Sequence, residues 1–299
     1  MKLTSMNTPR LLFVTACLWA AVSTARAATV VWDGGGGNYS WQNATNWDGD
    51  AVPGPDDDVV INVSSNLTVS SSADVTVKSL QCSNDLAIVG GTFGVTANAS
   101  IVQGALTMSS GTALSASGGG TSLTAIGPDN VDGSTLYANG GATLSLPALR
   151  SYLKDGCAGT TLQASGAGSV LALPALTNLV AATPSVYGCA GLSVQALAGG
   201  QVLLTSLMNL DGTVSVLADG TNSVVDLSQL TAVTATNGTA SFTAQNGGTV
   251  LMPALVAVQY ASLNVSGGSV LSLPALRSYL KDGCAGTTLQ ASGAGSVLA

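Results

Sequence analysis

The chain contains no histidine, and because all fifteen of its acidic residues are aspartate it contains no glutamate either. Charged residues make up only 8% and aromatic residues 4%, where a soluble domain ordinarily carries about 25% charge. The missing histidine excludes Ser-His-Asp and Cys-His nucleophile systems and His-ligated zinc. Eight basic residues against fifteen acidic ones give a net charge of −7. That balance lacks the Lys/Arg footprint that nucleic acid requires, so no nucleic-acid partner is expected. What fills the chain instead is Gly (37 residues), Ser, Thr, Asn and Ala, with 46% apolar residues overall.

Residues 1–27 read as a secretory signal. Lys2 and Arg10 supply a positive start, Leu11 to Val22 a short apolar core, and Ala25-Arg26-Ala27 an A-x-A cleavage site. The apolar run is shorter than the ~20 residues of a membrane span, and no second run follows, so no span is expected. Cys17, after Val14-Thr15-Ala16, makes a poor lipobox. Cleavage before Ala28 would leave five basic against fifteen acidic residues, a net charge of −10. The expected product is exported, extracellular or on the cell surface, and outer-membrane-associated in a Gram-negative host. Asn-x-Ser/Thr sequons at Asn38, Asn43, Asn62, Asn66, Asn98, Asn237 and Asn264 matter only in a eukaryotic host.

Two repeats organise the remainder. Leu144–Ala172 recurs letter for letter as Leu271–Ala299, the mark of a duplicated block. A shorter, drifting element starts at Leu136, Leu162, Leu192, Val214, Phe242, Leu263 and Leu289, and alternates apolar with small polar residues before a glycine turn. A second apolar strand follows each turn, as in Leu144-Ser-Leu146 and Leu171-Ala-Leu173. A third apolar pair comes next, such as Leu149/Leu153, Leu176/Leu179 and Leu276/Leu280. Period-2 alternation marks strands. Three short strands per unit, none able to bury its inward face alone, is the arrangement of a stacked solenoid. Inward Leu and Val would stack on their counterparts at ~4.8 Å, with glycine at corners that need positive φ. Pro147, Pro174, Pro253 and Pro274 recur at one station, which must be a strand end or corner.

The expected fold is therefore all-β, a right-handed parallel β-helix with three strands per coil. It divides into a signal (1–27), a Trp/Asp-rich cap (28–62) and the solenoid (63–299). The rival architecture is a leucine-rich repeat, suggested by the L-x-L-P-x-L-x-x-L phrase but lacking its Asn/Cys ladder. Ala299 falls in mid-coil, so a longer natural product is expected.

The segment from Trp32 to Ile61 holds Trp32, Trp41 and Trp47, then Pro53-Gly-Pro55 and Asp56-Asp57-Asp58. It resembles the opening segment of exported bacterial β-solenoid surface proteins of the autotransporter-like and sorting-tag (PEP-CTERM) kinds. The resemblance implies a surface or extracellular location and brings no catalytic residues.

Candidate sites are few. Cys157 and Cys189 occupy matching Gly-Cys-Ala-Gly phrases and could bridge neighbouring coils, the alternative being an unbridged small-residue ladder. Asp56, Asp57 and Asp58 could offer hard oxygen ligands to Ca²⁺, or form a solvated turn. Trp32, Trp41 and Trp47 could stack on sugar rings or pack as a cap. Tyr152 and Tyr279, in the repeated Arg-Ser-Tyr-Leu-Lys-Asp phrase, could contact a ligand or sit on a hydrated turn. No other cofactor is expected. The function expected is an exported structural or adhesive β-helix without catalysis, contacting surface polysaccharide or other cells. The alternative is a β-helix polysaccharide lyase or glycoside hydrolase. A hydrolase needs two carboxylates about 5–9.5 Å apart. Ice binding is disfavoured because no regular Thr-x-Thr ladder is evident.

Overall fold

The computed structural model describes residues 28–181, 189–235, 238–281 and 286–299. The signal-like segment, Asn237, Asp282 and Cys284 lie outside the described residues. The chain winds into a parallel β-solenoid of about ten turns. Each turn contributes one strand to each of three faces. The first face is a twelve-stranded sheet and the third a ten-stranded one. The second face is two sheets: four strands from Thr68–Ser71 to Asp129–Asn130, then six from Ser151–Lys154 to Ser278–Leu280.

Inward columns make the core. On the first face Leu123, Leu144, Leu171, Val202 and Val225 lie in successive register, and all are buried. Branched aliphatics suit this pleated, stacked setting, and each fully buried one contributes about 1.5–3 kcal/mol. Pro147 and Pro174 start the turns that leave the first face, where their fixed φ fits and no ladder N–H is needed.

On the third face the pairing is Leu162 with Val194 and Val194 with Val216. The repeat phase that aligns Leu162 with Leu192 and Val214 is therefore two residues out. A slip of two keeps every side chain on its own face, so the apolar pattern alone does not detect it. On the second face Tyr152 and Tyr279 hold the inward station, and Leu153 and Leu280 point outward. Tyr152 is 1% exposed and Leu153 39%. The aromatic ring buries more apolar area, and each phenol finds a carbonyl, Tyr152 that of Ser134 at 2.7 Å and Tyr279 that of Ala261 at 2.8 Å.

The corner between third and first faces explains a recurrent Gly-x-x-Ser phrase. Gly166 and Gly168 adopt φ of 96° and 78°, which L side chains rarely tolerate. The Ser169 hydroxyl donates to Ser165 O at 2.7 Å and accepts from Gly141 N of the preceding coil at 2.9 Å. Ser223 repeats both bonds, to Asp219 O and from Gly199 N. Both serines are buried. Each satisfies backbone groups that the tight turn would otherwise orphan.

Residues 28–62 close over the first coils. Thr29–Val31 adds a parallel strand beside Asp58–Ile61. Trp32, Trp41 and Trp47 are buried in edge-on contact, with centroid separations of 4.9 Å and 4.7 Å to Trp47. Trp41 meets Phe93 at 5.0 Å.

Candidate binding face

The third face presents an outward column of hydroxyl side chains and, beside it, a mixed column. Thr161, Ser193, Ser215, Ser241 and Ser262 occupy one station in five successive coils. Thr135 and Thr288 extend the column at its ends, Thr135 Oγ1 accepting from Thr161 N and Ser262 Oγ from Thr288 N. Two residues along each strand runs a second column: Tyr137, Gln163, Gln195, Leu217, Thr243 and Asn264. In this register hydroxyls recur at one station, paired along the strand with Gln, Leu, Thr or Asn rather than as a Thr-x-Thr ladder.

Hydrogen bonds tie these columns along the axis. Gln163 Nε2 donates to Gln195 Oε1 at 2.7 Å, and Gln195 Nε2 to Ser193 Oγ at 2.8 Å. Ser241 Oγ donates to Ser215 Oγ at 3.3 Å. Thr288 Oγ1 donates to Asn264 Oδ1 at 2.9 Å. Each hydroxyl carries one donor and two acceptor positions, so the column keeps capacity for an outside partner. At the starts of these strands lies a groove of about 460 Å³ lined by Ser193, Thr213, Ser215, Ser241, Ser262 and Thr287. Gly191 and Gly286 belong to its lining, and a side-chain carbon at Gly286 would meet nothing within 4 Å. Thr287, 7% exposed, stands at the inward station of Ala261, and its hydroxyl, like that of Thr160, has no hydrogen-bond partner among the described residues.

The other candidates are placed differently. Trp32, Trp41, Trp47 and Tyr152 are buried, and Tyr279 is half-buried against the core with its phenol engaged. None offers a ring face to a ligand, because aromatic area is worth more under the first coils or between stacked strands than in water. Asp57 accepts from Gly54 N at 2.8 Å and from Ala28 N at 3.4 Å. Asp58 is ion-paired to Lys78 and accepts from Ser79, which holds its carboxyl below the ordinary range. Their oxygens are thus turned to separate protein partners, and Asp56 joins no metal-holding group of three among the described residues.

Aspartates elsewhere clamp coil to coil. Asp74 accepts from Thr92 N, Asp85 from Ala105 N and Asp132 from Leu153 N, at 2.7–2.8 Å. Asp211, Asp219 and Asp226 fall on the second, third and first faces respectively, so they do not gather in one groove. Asp129, which sequence reasoning passed over, points inward.

Cys157 and Cys189 are joined by a disulfide between adjacent coils. Beneath them Lys154 is buried, its Nζ donating to Gly156 O and Ala190 O. A hydrated turn describes its duplicate Lys281, which is exposed, but not Lys154. Comparison of the chain with family models, curated proteins and solved structures found no match.

Proposed function

We propose that this chain is an exported structural or adhesive rod whose uncharged polar faces contact other surfaces, without catalysing a reaction. The observation that carries the reading is the hydroxyl column of the third face, where Thr135, Thr161, Ser193, Ser215, Ser241, Ser262 and Thr288 hold one register through seven coils. Ten coils at ~4.8 Å give a rod about 50 Å long, and a parallel sheet stacked on an aliphatic core is suited to spanning distance. Clamping aspartates and an inter-coil disulfide add stiffness, and a disulfide belongs to an oxidising compartment. The signal-like start and the resemblance carried by Trp32 to Ile61 support export to the surface.

The test is to express residues 1–299 in a Gram-negative host and follow the product. Export predicts a mature chain beginning at Ala28, labelled on intact cells by a non-permeant amine reagent, and increased retention of those cells on polysaccharide-coated surfaces. A product that keeps Met1 and stays with the cytoplasmic fraction overturns the reading.

A further inference from the structure

We infer that the Cys157–Cys189 bridge is a redox latch over Lys154: a thiol reductant opens this corner and makes the Lys154 amine a modification site for acyl donors. The inference stands apart from the adhesive reading above. The latch is built from neighbours in the chain. Gly156, whose carbonyl accepts from Lys154 Nζ, precedes Cys157, and Ala190, whose carbonyl accepts from the same atom, follows Cys189. The bridge therefore fixes both acceptors of the ammonium at once. Ala190 N also donates to Cys157 O at 3.1 Å. Ladder pairing on the second face ends with Lys154 opposite Ala181, and on the third it resumes with Thr160 opposite Leu192. Between those points the bridge and these hydrogen bonds tie one coil to the next.

The duplicated phrase supplies an independent observation. Arg-Ser-Tyr-Leu-Lys-Asp stands at 150–155 and again at 277–282, and both tyrosines keep the inward station. Lys154, under the bridged corner, is 0% exposed, whereas Lys281 is exposed. The same residues bury or present the amine according to what is stacked over them.

Reduction removes the covalent part of that cover. Cys157 is exposed, so a thiolate can attack the bridge and a second thiol resolves the mixed disulfide. Cys157 and Cys189 are left as thiols, and the two thiol groups of the reductant are joined as a disulfide. The corner then rests on hydrogen bonds alone and opens locally while the stacked faces hold. In the open corner the unprotonated amine attacks an acyl carbon. A nitrogen–carbon bond forms, the ester's leaving group departs with its electron pair, and the amine's proton passes to water.

The experiment treats the exported chain with the N-hydroxysuccinimide ester of acetate, before and after reduction by dithiothreitol, and follows acetylation by peptide mass spectrometry. Every sample carries Lys281→Arg, so that the two otherwise identical peptides differ in mass. Lys78, half-exposed beside Asp58, is the reference amine. With the bridge intact, Lys154 is expected to react about tenfold or more slowly than Lys78; reduction should speed it by about tenfold or more and leave Lys78 unchanged. The Cys157→Ser, Cys189→Ser chain should match the reduced protein with no thiol present. Far-UV circular dichroism reports the strand content of each sample. Equal Lys154 rates in bridged and unbridged chains overturn the latch, and so does a bridged Lys154 as reactive as Lys78. A chain that loses its strand signal on reduction also overturns it, because the bridge would then hold the whole fold and not one corner.

Discussion

The ammonium of Lys154 donates to the backbone carbonyl of Ala190, 36 residues further along the chain and one coil away. A second bond, 2.7 Å, runs to Gly156 O beside it. Burial pulls the amine below its ordinary pKa, with the Asp155 charge opposing that shift. Hydrogen bonds to a charged group contribute about 1.5–3 kcal/mol each way they are counted. Lys154→Ala is therefore expected to cost about 2–3 kcal/mol in urea unfolding. Lys281→Ala, at the exposed duplicate, should stay within about 0.5 kcal/mol of the parent. Similar losses from both substitutions would show that the bond between coils contributes nothing.

The Cys157–Cys189 bridge spans 32 residues and closes the same corner over Lys154. The chain-entropy model gives about 3–4 kcal/mol for a loop of that length. Reduction, or Cys157→Ser with Cys189→Ser, should lower the unfolding midpoint accordingly. Because the bridge also holds the Ala190 carbonyl near the amine, the two losses should not add. A double-mutant cycle with Lys154→Ala is expected to show an interaction of at least about 0.5 kcal/mol. Strict additivity would mean that bridge and amine stabilise separate parts of the corner.

Much of this architecture is legible in the residues. The alternation of Leu with Ser or Thr fixes which side chains enter the core, and the glycine phrases fix the corners. The phase between coils is less legible, since a two-residue slip leaves inward and outward residues unchanged. That is why the column Thr161, Ser193, Ser215, Ser241 is seen only in the fold. Tyr152 was hidden by a similar ambiguity: beside Leu153, either residue fits an apolar station, and the ring wins by burying more area while its phenol reaches Ser134 O. The burial of Lys154 depends on the coil stacked over it, and nothing in the repeated phrase distinguishes it from Lys281.

Trp41 lies under the cap, in contact with Trp47 and with Phe93 of the second coil. Trp47 Nε1 also donates to Trp41 O at 2.8 Å. Trp41→Ala should cost about 3–5 kcal/mol through lost transfer energy and the cavity left behind. It should also red-shift the fluorescence of the remaining cap tryptophans as water reaches Trp47. Unaltered emission and stability would place the cap's contribution elsewhere than this ring cluster.

Asp129 occupies the inward station that Val69, Leu86 and Leu106 hold in the preceding coils. Neither carboxylate oxygen has a hydrogen-bond partner or contact with solvent, and burial pushes the group up to about 7 from an ordinary 3.8. Between those values the native chain keeps a proton that the unfolded chain has released. Stability should therefore fall as pH rises from about 4 to about 7, and level off above. Asp58, whose carboxyl is held low by Lys78, loses its contribution only as pH falls below its ordinary range, outside this window. Asp129→Asn should abolish the decline, and Asp129→Leu should continue the aliphatic column and raise stability at pH 8 by about 1–3 kcal/mol. Urea midpoints at pH 5 and pH 8 for the three proteins decide it: a parent chain no less stable at pH 8, or a Leu variant less stable than the parent there, would mean that the carboxyl is satisfied in solution.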